Sequence, residues 1–247
     1  MSEQRKPGQA AAVILLREAE PKGFEVFLTK RRDEMPFLGG MYHYPGGPVG
    51  KEDFSDRIIR RCAGLAPEQA RKIAGARFSP RQALGFWVAA VRKLFEEAGV
   101  LFAANPSGAR CSMNPSKALW LEAKRRAVLE NSLRFVDLLE SENLFCDLTS
   151  LGYFSRWQTP AQNAVRFDTR YLVAALPRDQ NPRSMSCEVA HSLWLAPERA
   201  MQLHEHGELP MSFPTFASLR TLADFETLKS VLQEFGISRQ RDSAAQR

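Results

Sequence analysis

Apolar, partly β-branched residues fill positions 10–17 and again 24–30. The stretch 18–23 between them carries Pro21 and Gly23, so the pair predicts two strands joined by a turn. Residues 37–44 lead into Pro45-Gly46-Gly47-Pro48, which predicts a tight backbone bend. Short helical pieces are predicted over 57–63, 66–74 and 81–84, separated by Gly64 and the stretch 75–80. From Phe86 a stronger helix is predicted to run through Glu97 and stop at Gly99, a helix terminator. Val100-Leu101-Phe102 predicts the start of another strand.

Residues 115–139 predict one long amphipathic helix, with Leu119, Leu121, Ala123, Ala127, Leu129 and Leu133 among its apolar positions. Strands are expected at 167–176 and 191–195, and closing helices at 197–204 and 216–235. Strands interspersed with helices, without a regular βαβ repeat, favour a mixed-sheet α/β or α+β domain. The expected organisation is a flexible leader over 1–9, one domain over 10–235, and a polar tail over 236–247 containing Arg239, Arg241 and Arg247.

Composition narrows the classes. Hydrophobic residues make up 44% and charged residues 25%, which excludes wholesale disorder. No apolar run approaches the roughly 20 residues that span a bilayer, so a soluble, cytoplasmic protein without membrane partners is expected. Cys62, Cys111, Cys146 and Cys187 are scattered without a C-x-x-C pair, which predicts free thiols rather than a zinc site or disulfide framework. The net charge of +6 suits a polyanionic partner such as a nucleotide, coenzyme A or nucleic acid. No basic helix interleaved with stacking aromatics stands out, so nucleic acid ranks lowest.

Candidate chemistry concentrates on the helix ending at Gly99. Residues 93, 96 and 97 share one helix face. Glu96 and Glu97 concentrate negative charge near the helix C-terminus, where the dipole disfavours it. A bound divalent cation would offset that cost, and oxygen-rich sites suit magnesium shared with substrate phosphates. The bland alternative is a solvated surface helix with Lys93–Glu97 and Arg92–Glu96 as ordinary i,i+4 pairs. Gly46-Gly47 offers bare backbone for the close approach of a ligand.

Together these two segments resemble the signature of the Nudix superfamily, G-x5-E-x7-R-E-U-x-E-E-x-G-U, where U is a bulky aliphatic. Gly47 matches the leading glycine, and Asp53 stands in place of the first glutamate. Arg92, Leu94, Glu96, Glu97, Gly99 and Val100 match the second half. Asp53 and Arg92 are 39 positions apart, so the box is interrupted. An interruption of this kind resembles the branch containing the peroxisomal coenzyme A diphosphatases. Trp157-Gln158-Thr159-Pro160, the stretch Arg166-Phe167-Asp168-Thr169-Arg170-Tyr171, and Glu188-Val189 followed by Trp194 resemble it too.

The resemblance implies a mixed sheet sandwiched between helices, with insertions near 54–85 and 112–150. It implies hydrolysis of a nucleoside diphosphate linked to another moiety, with coenzyme A or acyl-coenzyme A as the leading substrate. The expected cofactor is Mg2+ or Mn2+, held by Glu96, Glu97 and Glu188. Arg92 would orient the glutamates, and Gly46, Gly47, Arg166 and Arg170 would meet the substrate. Trp157 is expected to pack, Asp168 to pair with a neighbouring arginine, and His204-x-His206 to be a solvated helix end. Lys93 departs from the signature by replacing the glutamate after the motif arginine. It removes one carboxylate ligand and sets a cation beside Glu96 and Glu97. A weakly catalytic or non-catalytic nucleotide-binding protein is therefore the alternative.

Overall fold

The computed structural model describes residues 6–183 and 189–237. The expectations for Glu188, Cys187, Arg239, Arg241 and Arg247 lie outside the described residues.

Strand β1 (Gly8–Glu18) pairs antiparallel with β2 (Phe24–Arg31), as the sequence predicts. Next come β3 (Tyr42–His43), which pairs with β2, and β4 (Gly46–Pro48), which pairs with β1. The expected bend at Pro45–Pro48 is thus mostly a strand. A Cβ on Gly46 would lie 2.5 Å from the Ala11 carbonyl oxygen and 2.6 Å from Ala12 Cα. Glycine is required there for close strand approach rather than for a turn.

The box interruption folds into a 3-10 turn (Lys51–Phe54), α1 (Asp56–Ile59), β5 (Cys62–Ala63) and α2 (Pro67–Ala74). The long helix α3 (Pro80–Ala98) then runs unbroken. The separate piece expected over 81–84 is its first turn. Ser79 accepts from the Gln82 N–H, and the Gln82 side chain accepts from the Ser79 N–H, which closes a capping box around Pro80. Gly85 does not interrupt the helix but makes room for Phe54, whose Cβ would lie 3.2 Å from a Cβ placed there.

After Gly99, in the left-handed region at φ 72°, the chain passes through β6 (Ala103–Ala104). The single helix expected over 115–139 is two, α4 (Pro115–Leu129) and α5 (Phe135–Ser141). Asn131 at φ 56° breaks them apart, and the N–H groups of Ser132 and Leu133 turn back to the Ala127 carbonyl. Then follow β7 (Phe145–Asp147), β8 (Gly152–Gln158), β9 (Phe167–Ala175) and β10 (Val189–Leu195). The chain closes with α6 (Pro197–Glu205), α7 (Phe213–Leu222) and α8 (Leu228–Glu234). The last two divide the segment expected to be one helix, because Thr227 caps a new start by accepting from the Ser230 N–H.

Among the described residues the main sheet runs β10-β2-β1-β9-β8, with β3 and β4 attached at β2 and β1. It is mixed, since β1 and β9 are parallel and its other pairs antiparallel. A small second sheet joins β5, β7 and β6. Period-two alternation along β1 sends Ala11, Val13 and Leu15 into one core with α3, and Ala12, Ile14 and Leu16 into another with α6, α7 and α8. Burial on both faces explains the uninterrupted apolar run. The sheet is therefore sandwiched between helical layers, as the resemblance implies. No helix of the described residues is long and apolar enough to cross a membrane.

Candidate active site

Asp53 sits in the 3-10 turn, where its side chain accepts from the Gly50 N–H at 2.7 Å. It is 3% exposed and meets Arg92 with both oxygens, accepting from Nε at 2.7 Å and Nη2 at 2.8 Å. Arg92 also donates to Glu96 at 2.8 Å and to the Pro48 carbonyl at 3.0 Å. Burial disfavours the Arg92 charge, but Asp53 and then Glu96 outweigh that and raise its pKa above the ordinary arginine value. The two halves of the interrupted box are thus joined by a bidentate ion pair.

One turn later, Glu96 accepts from Lys93 at 2.7 Å, and Glu97 accepts from the Gly46 N–H at 3.3 Å. Both glutamates are buried. The bland reading of this helix as a solvated surface element fails, because α3 is enclosed along most of its length.

Arg125, which the sequence reading did not single out, comes from α4. It is fully buried, donates through Nε to the Glu96 carbonyl at 3.1 Å, and approaches Glu122 at 3.4 Å. Burial lowers its pKa, with Glu122 and then Glu97 opposing that shift. The position complements the negative end of the α3 dipole and the carboxylates it carries. Nothing in Lys124-Arg125-Arg126 distinguishes this arginine from its neighbours.

Beside the box lies a cavity of about 390 Å³. Gly46, Gly47, Lys93 and Arg31 are among its lining residues, and Met35, Phe37 and Phe167 are among its apolar walls. The rings of Phe37 and Phe167 meet edge-on, 5.2 Å apart. His43 also lines it, with Nδ1 donating to the Tyr44 carbonyl at 2.7 Å and Nε2 3.3 Å from the Thr29 hydroxyl. Burial pushes its pKa down to about 4, so the ring is neutral at neutral pH.

Other expected substrate residues fare differently. Arg170 is not at the cavity. Alternation along β9 puts Phe167, Thr169 and Tyr171 toward it and Arg170 on the opposite face. There Arg170 is 1% exposed, pairs with Asp168 at 2.8 Å, and lies over the rings of Phe78 and Phe86. It is a core ion pair, which corrects the expectation of phosphate contact. Asp168 also accepts from Arg156 and Arg77, so its structural role agrees with the sequence reading. Arg166 is half-buried and its Nε donates to the Thr159 carbonyl at 3.4 Å. Trp157 packs edge-on against Phe213, 5.4 Å away. His204 bonds the Leu209 carbonyl and stacks near Phe216, as a helix-end residue rather than a ligand.

Among the described residues, His, Cys, Asp and Glu side chains nowhere gather in threes as a preformed metal cage. Glu96 and Glu97 remain a pair of hard oxygen donors beside an open cavity. That donor set fits magnesium, which is commonly held by one or two carboxylates with phosphate oxygens and water completing its shell.

A mixed sheet between helical layers, with a glycine strand facing an R-x-x-x-E-E-x-G helix end, defines a Nudix protein. Residues 7–222 match the NUDT19 Nudix domain, and the chain belongs to that family. It is 28% identical over 264 aligned positions to the acyl-coenzyme A diphosphatase NUDT19 of Gallus gallus, covering 90% of this chain and 70% of the relative. The Homo sapiens protein of the same name is 25% identical, with 97% and 76% covered. A crystal structure of a Nudix hydrolase from Alicyclobacillus acidocaldarius superposes with a TM-score of 0.73 at 24% identity, covering 96% of this chain and 100% of that one.

Proposed function

We propose that the chain hydrolyses the pyrophosphate linkage of coenzyme A or acyl-coenzyme A. The observation that carries this reading is the Asp53–Arg92 clamp, which closes the interrupted box and leaves Glu97 against Gly46 at the cavity. The names of the avian and human relatives support the substrate class. Glu96 and Glu97 would hold Mg2+ or Mn2+, with Glu188 as a further candidate ligand. When bound, the ion supplies charge neutralisation on the pyrophosphate and activation of water. Arg92 fixes Glu96 by ionic hydrogen bonding, and its role would be to orient that glutamate. Gly46 and Gly47 let the linkage approach bare backbone, and Arg166 at the neighbouring rim is a candidate phosphate contact. The apolar walls suit the less polar portion of such a substrate. We read the setting as cytoplasmic, a reading supported by the free thiols Cys62, Cys111 and Cys146.

The test is product identification by mass spectrometry after incubation with coenzyme A, acetyl-coenzyme A, ADP-ribose or NADH. Formation of 3′,5′-ADP with the matching phosphopantetheine from the coenzyme A substrates is expected. Cleavage confined to ADP-ribose or NADH would overturn the substrate assignment.

A further inference from the structure

We propose that Lys93 is a substrate-contacting residue, whose ammonium binds the pyrophosphate linkage and is held ready by Glu96 until substrate arrives. The inference rests on the cavity beside the box being the substrate site. Two cations belong to the box, and the structure separates their roles. Arg92 is spent internally: Nε and Nη2 meet Asp53, Nη1 meets Glu96, and Nη2 also meets the Pro48 carbonyl. Turning it toward a ligand would strand the buried Asp53 carboxylate.

Lys93 has no such anchoring. Among the described residues its ammonium makes one ion pair, with Glu96 at 2.7 Å, and its side chain is 19% exposed. An ammonium carries three hydrogens to donate, so one carboxylate oxygen leaves donor capacity in hand. The stem lies across Gly47, where a Cβ would come within 2.7 Å of Lys93 Cε. Gly47 therefore leaves the space through which the lysine reaches the cavity it lines. Of the three cations set against Asp53, Glu96 and Glu97, Arg92 and Arg125 are turned inward and Lys93 lines the cavity, where Arg31 is the other arginine or lysine, so an anion beside the two glutamates meets Lys93. A lysine is suited to this as a compact, freely rotating point charge on phosphate.

The same ion pair makes Lys93 a competitor for Glu96. Were Glu96 to hold a divalent ion, Lys93 would lose that partner, and its ammonium would be free to turn toward the phosphates.

Isothermal titration of inorganic pyrophosphate in the presence of EDTA reads the contact without turnover. Lys93→Met is expected to weaken binding by about tenfold or more, and Lys93→Arg to retain most of it. A parallel titration with Mn2+ alone is expected to show tighter binding to Lys93→Met than to the unsubstituted protein, because the competitor for Glu96 is gone. Equal pyrophosphate affinity in the unsubstituted protein and Lys93→Met, or no pyrophosphate binding by either, overturns the proposal. Loss of pyrophosphate binding in Lys93→Met without any hydrolysis of coenzyme A would leave Lys93's role standing and sink the substrate assignment instead. Circular dichroism of both variants confirms the fold.

Discussion

His43 illustrates how one side chain carries both a structural and a pH-dependent consequence. Burial disfavours a second proton on its ring and Arg31 nearby adds to that, while the bond to the Tyr44 carbonyl opposes it. The folded pKa of about 4 lies below the ordinary 6.5, so the unfolded chain binds the extra proton between those values. Its contribution to stability is fully present above pH 6.5 and is lost as pH falls toward 4. The gap corresponds to at most about 3 kcal/mol, and less in practice because the ring is half-open to the cavity. Urea unfolding at a series of pH values is expected to show this loss, and His43→Gln to flatten it. An identical pH slope in the variant would show that His43 is not its source. The single substitution Lys93 is equally local, and the sequence exposes it by replacing one expected carboxylate. Its direction, across Gly47 and toward Glu96, depends on strand β4 lying beside α3 and could not be read from spacing.

Two elements far apart in the chain, the 3-10 turn at Lys51–Phe54 and helix α3, act as one through Asp53 and Arg92. The intervening residues fold as α1, β5 and α2 and return the chain to Ser79 in position to start α3. Loop entropy grows slowly with length, so such an interruption costs little if its ends are fixed. Asp53→Ala or Arg92→Ala alone leaves a buried charge without its partner and is expected to destabilise by about 3–5 kcal/mol. The double variant should lose less than the sum of the two, measured by urea unfolding. Strict additivity would mean that the halves of the box are held by other contacts. The stop at Gly99 was legible as a local signal, whereas the start of α3 was not, because the stretch 75–80 reads as a separator although Ser79 and Gln82 close a capping box there. Gly85 falls between the pieces predicted over 81–84 and from Phe86, yet it serves a tertiary contact with Phe54 inside one helix. Asn131 was equally opaque, since a left-handed residue inside an apolar pattern leaves the periodicity almost unchanged.

At the scale of the whole molecule, the mixed sheet separates two cores, and the box sits where β1, β4 and α3 meet. The resemblance anticipated that arrangement from Gly47, Asp53 and the Arg92–Val100 segment. It did not anticipate Arg170, which chain-local reasoning treats as an available cation but which strand alternation buries with Asp168. Nor did it reveal Arg125, whose contact with the Glu96 carbonyl depends on how α4 docks against α3. The residues that set the chemistry are therefore clearer from motif spacing than the residues that support them. The most direct test of the whole account is the rate of acetyl-coenzyme A cleavage as Mg2+ is titrated, for the unsubstituted protein and Glu97→Gln. The expected result is metal-dependent release of 3′,5′-ADP, reduced about a hundredfold in the variant while its thermal unfolding remains cooperative. Cleavage that needs no divalent ion, or that proceeds at the same rate in Glu97→Gln, would contradict it.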